Sequence, residues 1–196
     1  ICKYKDIEYA QKNSFDKFKK LDVLINCAGR IGEIGQIEET DNDNWDKTII
    51  TNLIGTYYAM KVSVELMKKQ NYGKIINFSG GGAAYGRKYF SAYSSSKAGV
   101  VRLTECIALE LMSYNIQVNS IAPGAIISKM WYDVEKKASI IDQNTLKELK
   151  AVKEDSSKPL ELLIGLVKYL ISSKSDILTG KLISAQHDKW ESFQNE

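Results

Sequence analysis

Three short apolar runs order the whole chain: LDVLIN (21–26), KIINF (74–78) and NIQVNSIA (115–122). Each stops at a turn: Asn26-Cys27-Ala28-Gly29 ends the first, a Ser79-Gly80-Gly81-Gly82 loop follows the second, and Pro123-Gly124 stops the third. The stretches between them are long enough for a helix, and a strand that returns through a helical crossover re-enters its sheet parallel to the strand before it. The runs are apolar throughout rather than alternating, which predicts strands buried on both faces. The fold class is therefore α/β, a doubly wound parallel sheet. Such sheets bind ligands beyond the carboxyl ends of their strands, so chemistry belongs in the turns just named.

The intervening segments fit this reading. Residues 4–20 set Ile7, Ala10, Phe15 and Phe18 among charges, as an amphipathic helix does. Thr40 with Asp43 predicts the cap of a helix running through Trp45, Ile49, Leu53 and Tyr57 to about Gln70. A third helix is expected from about Ala92 to Met112. Residues 125–158 read as irregular, polar and mobile, a segment suited to shaping a substrate pocket. Pro159 then opens a helix carrying Leu160, Leu163, Ile164, Val167, Leu170 and Ile171, and Thr179-Gly180 turns into a last strand, KLISA. A chain of 196 residues fits one domain.

Composition excludes several functions. The net charge is +3 with lysines scattered among acids, which offers no dense basic patch for nucleic acid. No apolar run approaches the roughly 20 residues that span a bilayer. Cys2, Cys27 and Cys106 are an odd, widely spaced set far from the single histidine, His187, so no metal site is expected. Reduced thiols of this kind are expected in the cytoplasm.

Tyr93 and Lys97 stand at i and i+4 in the third helix and share a face. A free phenol has a pKa near 10 and is a poor acid-base group at neutral pH. An ammonium about 4 Å away, at an effective dielectric near 20, favours the phenolate by roughly 4 kcal/mol, or about three pKa units. The pair is therefore the candidate acid-base site.

The set Asn26-Cys27-Ala28-Gly29, Asn52 inside a helix, a serine- and glycine-rich loop, Tyr93-x-x-x-Lys97 and Pro123-Gly124 resembles the single-domain branch of the short-chain dehydrogenase/reductase family. The resemblance covers nearly all of the chain and implies a Rossmann-like sheet, NAD or NADP as cofactor, and interconversion of an alcohol and a ketone or aldehyde on a small soluble substrate. It further implies that Tyr93 exchanges a proton with the substrate oxygen, that Lys97 lowers the Tyr93 pKa and bonds the nicotinamide ribose, and that Asn52 holds a water of the proton relay. Asn26, Ala28 and Gly29 would line the adenosine side. Pro123, Gly124 and Ile126 would border the nicotinamide, with Ser128 bonding its carboxamide. Cys27 stands where the family has a second Asn.

Two departures from the family pattern shape the expectations. The family's serine falls thirteen residues before the tyrosine, where this chain has Gly80; Ser79 is one residue away, and in a regular strand one residue reverses the side chain. Ser79 can serve only if the strand ends or bulges there. The family's T-G-x-x-x-G-x-G turn does not occur ahead of Asn26, and Gly29, Gly32 and Gly35 have the wrong spacing to replace it. With Ile1 as first residue, this implies an N-terminally truncated domain, lacking the first strands of the fold. A rival expectation is a degenerate member that only folds or associates. The helix from Ala98 to Leu111 carries few charges and is apolar almost all round, which predicts a homodimer or homotetramer packed through this helix and the one around Trp45 to Met67.

Overall fold

The computed structural model describes residues 1–193. Four parallel strands lie in chain order: β1 (Val23–Asn26), β2 (Gly73–Phe78), β3 (Ile116–Ala122) and β4 (Leu182–Ser184). Helices α1 (Tyr4–Phe18), α2 (Asn42–Ile49), α3 (Gly55–Gln70) and α4 (Ser91–Leu111) precede β3. Helices α5 (Lys129–Glu135), α6 (Gln143–Glu154) and α7 (Ser157–Ile171) follow it. The doubly wound parallel sheet expected from the three apolar runs is present.

Alternation along β2 explains how the sheet acquires two covered faces. Ile75 packs with Met60, Met67, Ala108, Leu111 and Val118 from α3, α4 and β3. Its neighbour Ile76 points the other way, into Ile121, Leu163, Leu166, Leu170 and Ile183 beneath α7. Burying an aliphatic side chain of this size stabilises the fold by about 1.5–3 kcal/mol, and both faces gain it.

β1 departs from its expectation of burial on both faces. Among the described residues no strand pairs with its outer side, and Ile25 is 43% exposed. Its apolar character suits a central strand, but neighbours decide burial, and here only β2 flanks it.

The segment 125–158 is not irregular. Ser128 accepts a hydrogen bond from the Trp131 N–H and caps α5, and Asp142 accepts from the N–H groups of Asn144 and Thr145 and caps α6. Trp131, Val134, Ile141, Leu149 and Val152 are buried against Tyr93, Phe90, Ile31 and Ile34, so the two helices cover one end of the sheet. The spacing of Leu146, Leu149 and Val152 behind Asp142 carried this signal, diluted by the surrounding lysines. Likewise α2 is capped by Asp41, whose carboxylate accepts from the Asn44 N–H at 2.8 Å, and not by Thr40.

Among the described residues Lys74 is the most deeply buried charge. At 1% exposure its ammonium donates to Ser172 O (2.8 Å), Ser175 Oγ (3.0 Å) and Asp176 Oδ1 (2.6 Å). A strand lysine thus places its charge just past the C-terminal end of α7, where a cation is favoured, and shares the Ser172 carbonyl with Ser175.

Candidate active site

Parallel register brings the strand ends together. Asn26, Asn77 and Ser120 lie side by side across β1, β2 and β3. Asn26 Nδ2 donates to Asn77 Oδ1 at 2.8 Å, and Asn77 Nδ2 donates to Thr104 Oγ1 of α4 at 2.9 Å. This relay fixes the carboxyl ends of β1 and β2 against the helix that carries Tyr93 and Lys97. Asn77 and Thr104 carry no sequence pattern that would have singled them out.

Asn52 sits in a π-helical turn, Ile50–Ile54, which joins α2 to α3. Such single turns widen a helix locally and occur often at functional sites. Its side chain is fully buried and both its donors are used: Oδ1 accepts from the Arg30 N–H (2.8 Å), and Nδ2 donates to Arg30 O (2.9 Å) and Ser96 Oγ (2.9 Å). Ser96 Oγ in turn donates to Tyr93 O at 2.7 Å. The amide therefore ties the loop after β1 to α4 and has no donor left for a water; a relay water would have to donate, to Asn52 Oδ1 or to the backbone carbonyl that also accepts from Thr56 Oγ1.

Tyr93 is 8% exposed and its hydroxyl has no hydrogen-bond partner among the described residues. Gly80 faces it: a Cβ on Gly80 would lie 2.5 Å from Tyr93 Oη. Its backbone is extended and open to any residue (φ 172°), so close approach to the phenol, and not conformation, is what favours glycine here. Ser79 is turned to a different partner. Its Oγ donates to the Lys97 carbonyl at 3.5 Å, the long limit of a hydrogen bond. β2 ends at Phe78 without a bulge that would exchange the two positions.

Lys97 is 4% exposed, and its ammonium donates to Phe78 O at 2.7 Å. Burial lowers its pKa to about 8, with the nearby Cys27 opposing the fall. Burial pushes the Tyr93 phenol above its ordinary range, and the Arg87 guanidinium offsets part of that rise. The expected lowering of Tyr93 by Lys97 is absent from this arrangement. The ammonium is 5.9 Å from the Tyr93 ring centre and engaged with the Phe78 carbonyl, while the desolvation of a buried phenol acts in full.

The remaining candidates line the same end of the sheet. Ala28 and Gly29 are exposed after β1, and a Cβ on Gly29 would sit 3.4 Å from Lys97 Nζ. Pro123 and Ile126 are half-buried after β3, and Gly124 adopts φ +77° with Gln186 packed where a side chain would stand. The Ser128 hydroxyl accepts from Trp131 N as the cap of α5. Sequence reasoning missed Arg87, Phe90 and Trp131, which the α5–α6 cover brings to Tyr93. The described residues contain no cluster of potential metal ligands, the three cysteines are free, and no helix is long and apolar enough to cross a membrane.

Comparison with known proteins agrees with this architecture. The short chain dehydrogenase family model matches residues 1–139. Trans-4-hydroxycyclohexanecarboxylate dehydrogenase of Sinomonas cyclohexanicum is 32% identical over 180 residues, covering 92% of this chain, and the chain spans 64% of that relative's length. The NAD+-bound xylitol dehydrogenase structure superposes with a TM-score of 0.82 at 26% identity, over 93% of this chain and 74% of that one. An actinorhodin polyketide ketoreductase variant with NADPH gives 0.80 at 26% identity, over 93% and 72%. The chain belongs to the short-chain dehydrogenase/reductase family.

Proposed function

We propose that the protein is an NAD(P)-dependent oxidoreductase that interconverts an alcohol and a ketone or aldehyde on a small soluble substrate. One observation carries the reading: Tyr93 is a buried residue whose hydroxyl has no protein partner, on the helix face it shares with the Lys97 ammonium, where the strands end. A phenol held above its ordinary pKa is protonated at neutral pH, so Tyr93 is poised to donate a proton to a substrate carbonyl, the role of a general acid. Alcohol oxidation, in which Tyr93 must accept that proton, is favoured at higher pH.

The residues present fit the nicotinamide half of a dinucleotide. Lys97 has N–H donors beyond the one given to Phe78 O, and Gly29 leaves the space beside the ammonium open for ribose hydroxyls. Pro123, Gly124 and Ile126 would border the ring and Ser128 its carboxamide, while Asn26, Ala28 and Gly29 would stand toward the adenosine. Bound nicotinamide supplies the hydride acceptor or donor. The chain's own residues exclude water, orient the substrate and move its proton. In this reading Ser79 takes no direct part, and Asn52 acts by holding the Arg30 loop and α4 in register. Gly80, in the place of the family's serine, leaves the substrate oxygen held by Tyr93 alone. That same glycine favours the second reading, a member that folds and associates without turnover.

The deciding experiment is steady-state reduction of a panel of small ketones at millimolar NADH or NADPH. Tyr93→Phe should remove at least about 99% of the turnover, as expected when a general acid worth 10²–10⁴-fold is lost. Activity within threefold of the unmodified protein would overturn the assignment, and no turnover with any carbonyl would favour the non-catalytic reading. Cytoplasmic placement and self-association as a homodimer or homotetramer belong to this proposal too. The exposed Leu109, Ile50 and Tyr57 on α4 and the α2–α3 segment support the latter.

A further inference from the structure

We propose that Arg87 recognises a carboxylate on the substrate, so that the site selects short hydroxy acids and the corresponding keto acids. This rests on the oxidoreductase reading above and adds the substrate class to it.

Arg87 lies in the loop between β2 and α4 and is only 15% exposed. Its guanidinium stacks over the Phe90 ring, 4.9 Å from the ring centre, and Phe90 belongs to the buried cluster that contains Tyr93. One nitrogen is committed to the covering helix α6: Nη2 donates to Thr145 Oγ1 at 2.9 Å and to Glu148 Oε2 at 3.2 Å. The others, Nε and Nη1, have no partner among the described residues. Nη1 lies 3.9 Å from where a Cβ of Gly81 would stand, next to the Gly80 that faces Tyr93 Oη. The unused edge of the fork thus faces Gly81, the residue next to the glycine that meets Tyr93 Oη, and the Arg87 charge offsets part of the rise in the phenol's pKa.

A guanidinium presents paired donors that match a carboxylate in two parallel hydrogen bonds. Glu148 engages it through a single nitrogen and is itself 45% exposed, so water can take over its carboxylate when a ligand arrives. A cleft of about 250 Å3, bordered by Gly35, Ile37, Glu38 and Tyr89, opens on Arg87. A second observation points the same way. Trp131 Nε1 is buried without a partner in the Tyr93 cluster, at 4% exposure. The other walls of that cluster, Ile31, Ile34 and Val134, are apolar. Tyr93 and Trp131 in this cluster, and Arg87 stacked on its Phe90, thus each keep a donor without a protein partner, and a ligand rich in acceptor oxygens satisfies such donors. The carboxylate takes no part in the chemistry, which remains as proposed above.

The test compares reduction of the α-, β- and γ-keto isomers of oxopentanoate with that of their methyl esters, at millimolar NADH or NADPH. These pairs share the reacting carbonyl and differ in charge. At least one acid should have a kcat/KM about tenfold or more above its ester, the scale of a site built to pair a polar group. Arg87→Met should raise KM for that acid about tenfold or more with kcat little changed, leave the ester's KM within threefold, and Arg87→Lys should recover part of the loss. Esters turned over as well as acids by the unmodified protein would overturn the proposal, whatever the variants do. Equal rises in KM for acid and ester in Arg87→Met would do the same, since they mark a latch on α6. Failure to turn over any carbonyl, neutral or charged, would instead remove the oxidoreductase reading, and this one with it.

Discussion

A Cβ on Gly80 falls 2.5 Å from Tyr93 Oη, so the phenol occupies the space that a side chain at position 80 would need. The missing serine of the family pattern and the placement of the tyrosine are one fact seen from two residues. Gly80→Ala should therefore displace the Tyr93 hydroxyl. Misplacing a reacting group by about 1 Å can cost a hundredfold in rate, and overpacking costs about 1–3 kcal/mol, so kcat should fall far more than stability. Turnover of Gly80→Ala within threefold of the parent, measured beside urea unfolding, would show that Tyr93 is not fixed by this contact.

Ser79→Ala tests the neighbouring position. It removes one long hydrogen bond to the Lys97 carbonyl, worth at most about 0.5 kcal/mol, and turnover should change less than about threefold. A hundredfold loss would make Ser79 a working hydroxyl and the Gly80 argument wrong.

The low pKa of Lys97 predicts a pH dependence of stability. Its folded value of about 8 lies below the ordinary 10.5, so between these the unfolded chain binds the extra proton. Folding stability then rises with pH across that window, by about 3 kcal/mol in all, and the burial penalty stands in full below pH 8. Urea midpoints at pH 7.5 and 9.5 should rise more for the parent protein than for Lys97→Met. Parallel changes in the two would mean that the ammonium is not desolvated.

Lys74→Met should destabilise the fold by about 1–3 kcal/mol, because it removes a buried charged donor from Ser172 O and Ser175 Oγ, which keep only their bonds to each other and to Leu170 O, while Asp176 returns to water. The loss should appear as a lower denaturation midpoint with an unchanged m-value. A change under 0.5 kcal/mol would mean that the helix end is satisfied some other way.

Association is tested at Leu109, which is 72% exposed on α4. Leu109→Arg should reduce the mass seen by light scattering at tens of micromolar. Ala108, one residue away, is 2% exposed and packs in the core, so charge there would unfold the subunit rather than report on an interface. A monomeric parent protein at that concentration would end the association proposal.

The strand runs, the crossover helices and the Tyr93–Lys97 spacing were all legible in sequence, because doubly buried strands leave short unbroken apolar runs, helices leave a period of 3.6, and short-range spacing fixes which side chains share a helix face. By that local logic the chain determined its parallel sheet, its α4 pair and the turns where ligands belong, while the order of the strands came from the tertiary structure. What lay beyond reach depended on distant partners. Asp142 and Ser128 capped helices in a stretch whose polarity disguised them, and exposure of Ile25 followed from what lies beside β1. The Tyr93 pKa rose rather than fell because burial by α5 and α6, contributed some 40–60 residues later, outweighs an ammonium turned toward Phe78 O. Arg87 gained its place beside Tyr93 only when Phe90, Thr145 and Glu148 closed around it. Desolvation and charge proximity are properties of three-dimensional neighbours, and sequence spacing reports only those within a turn or two.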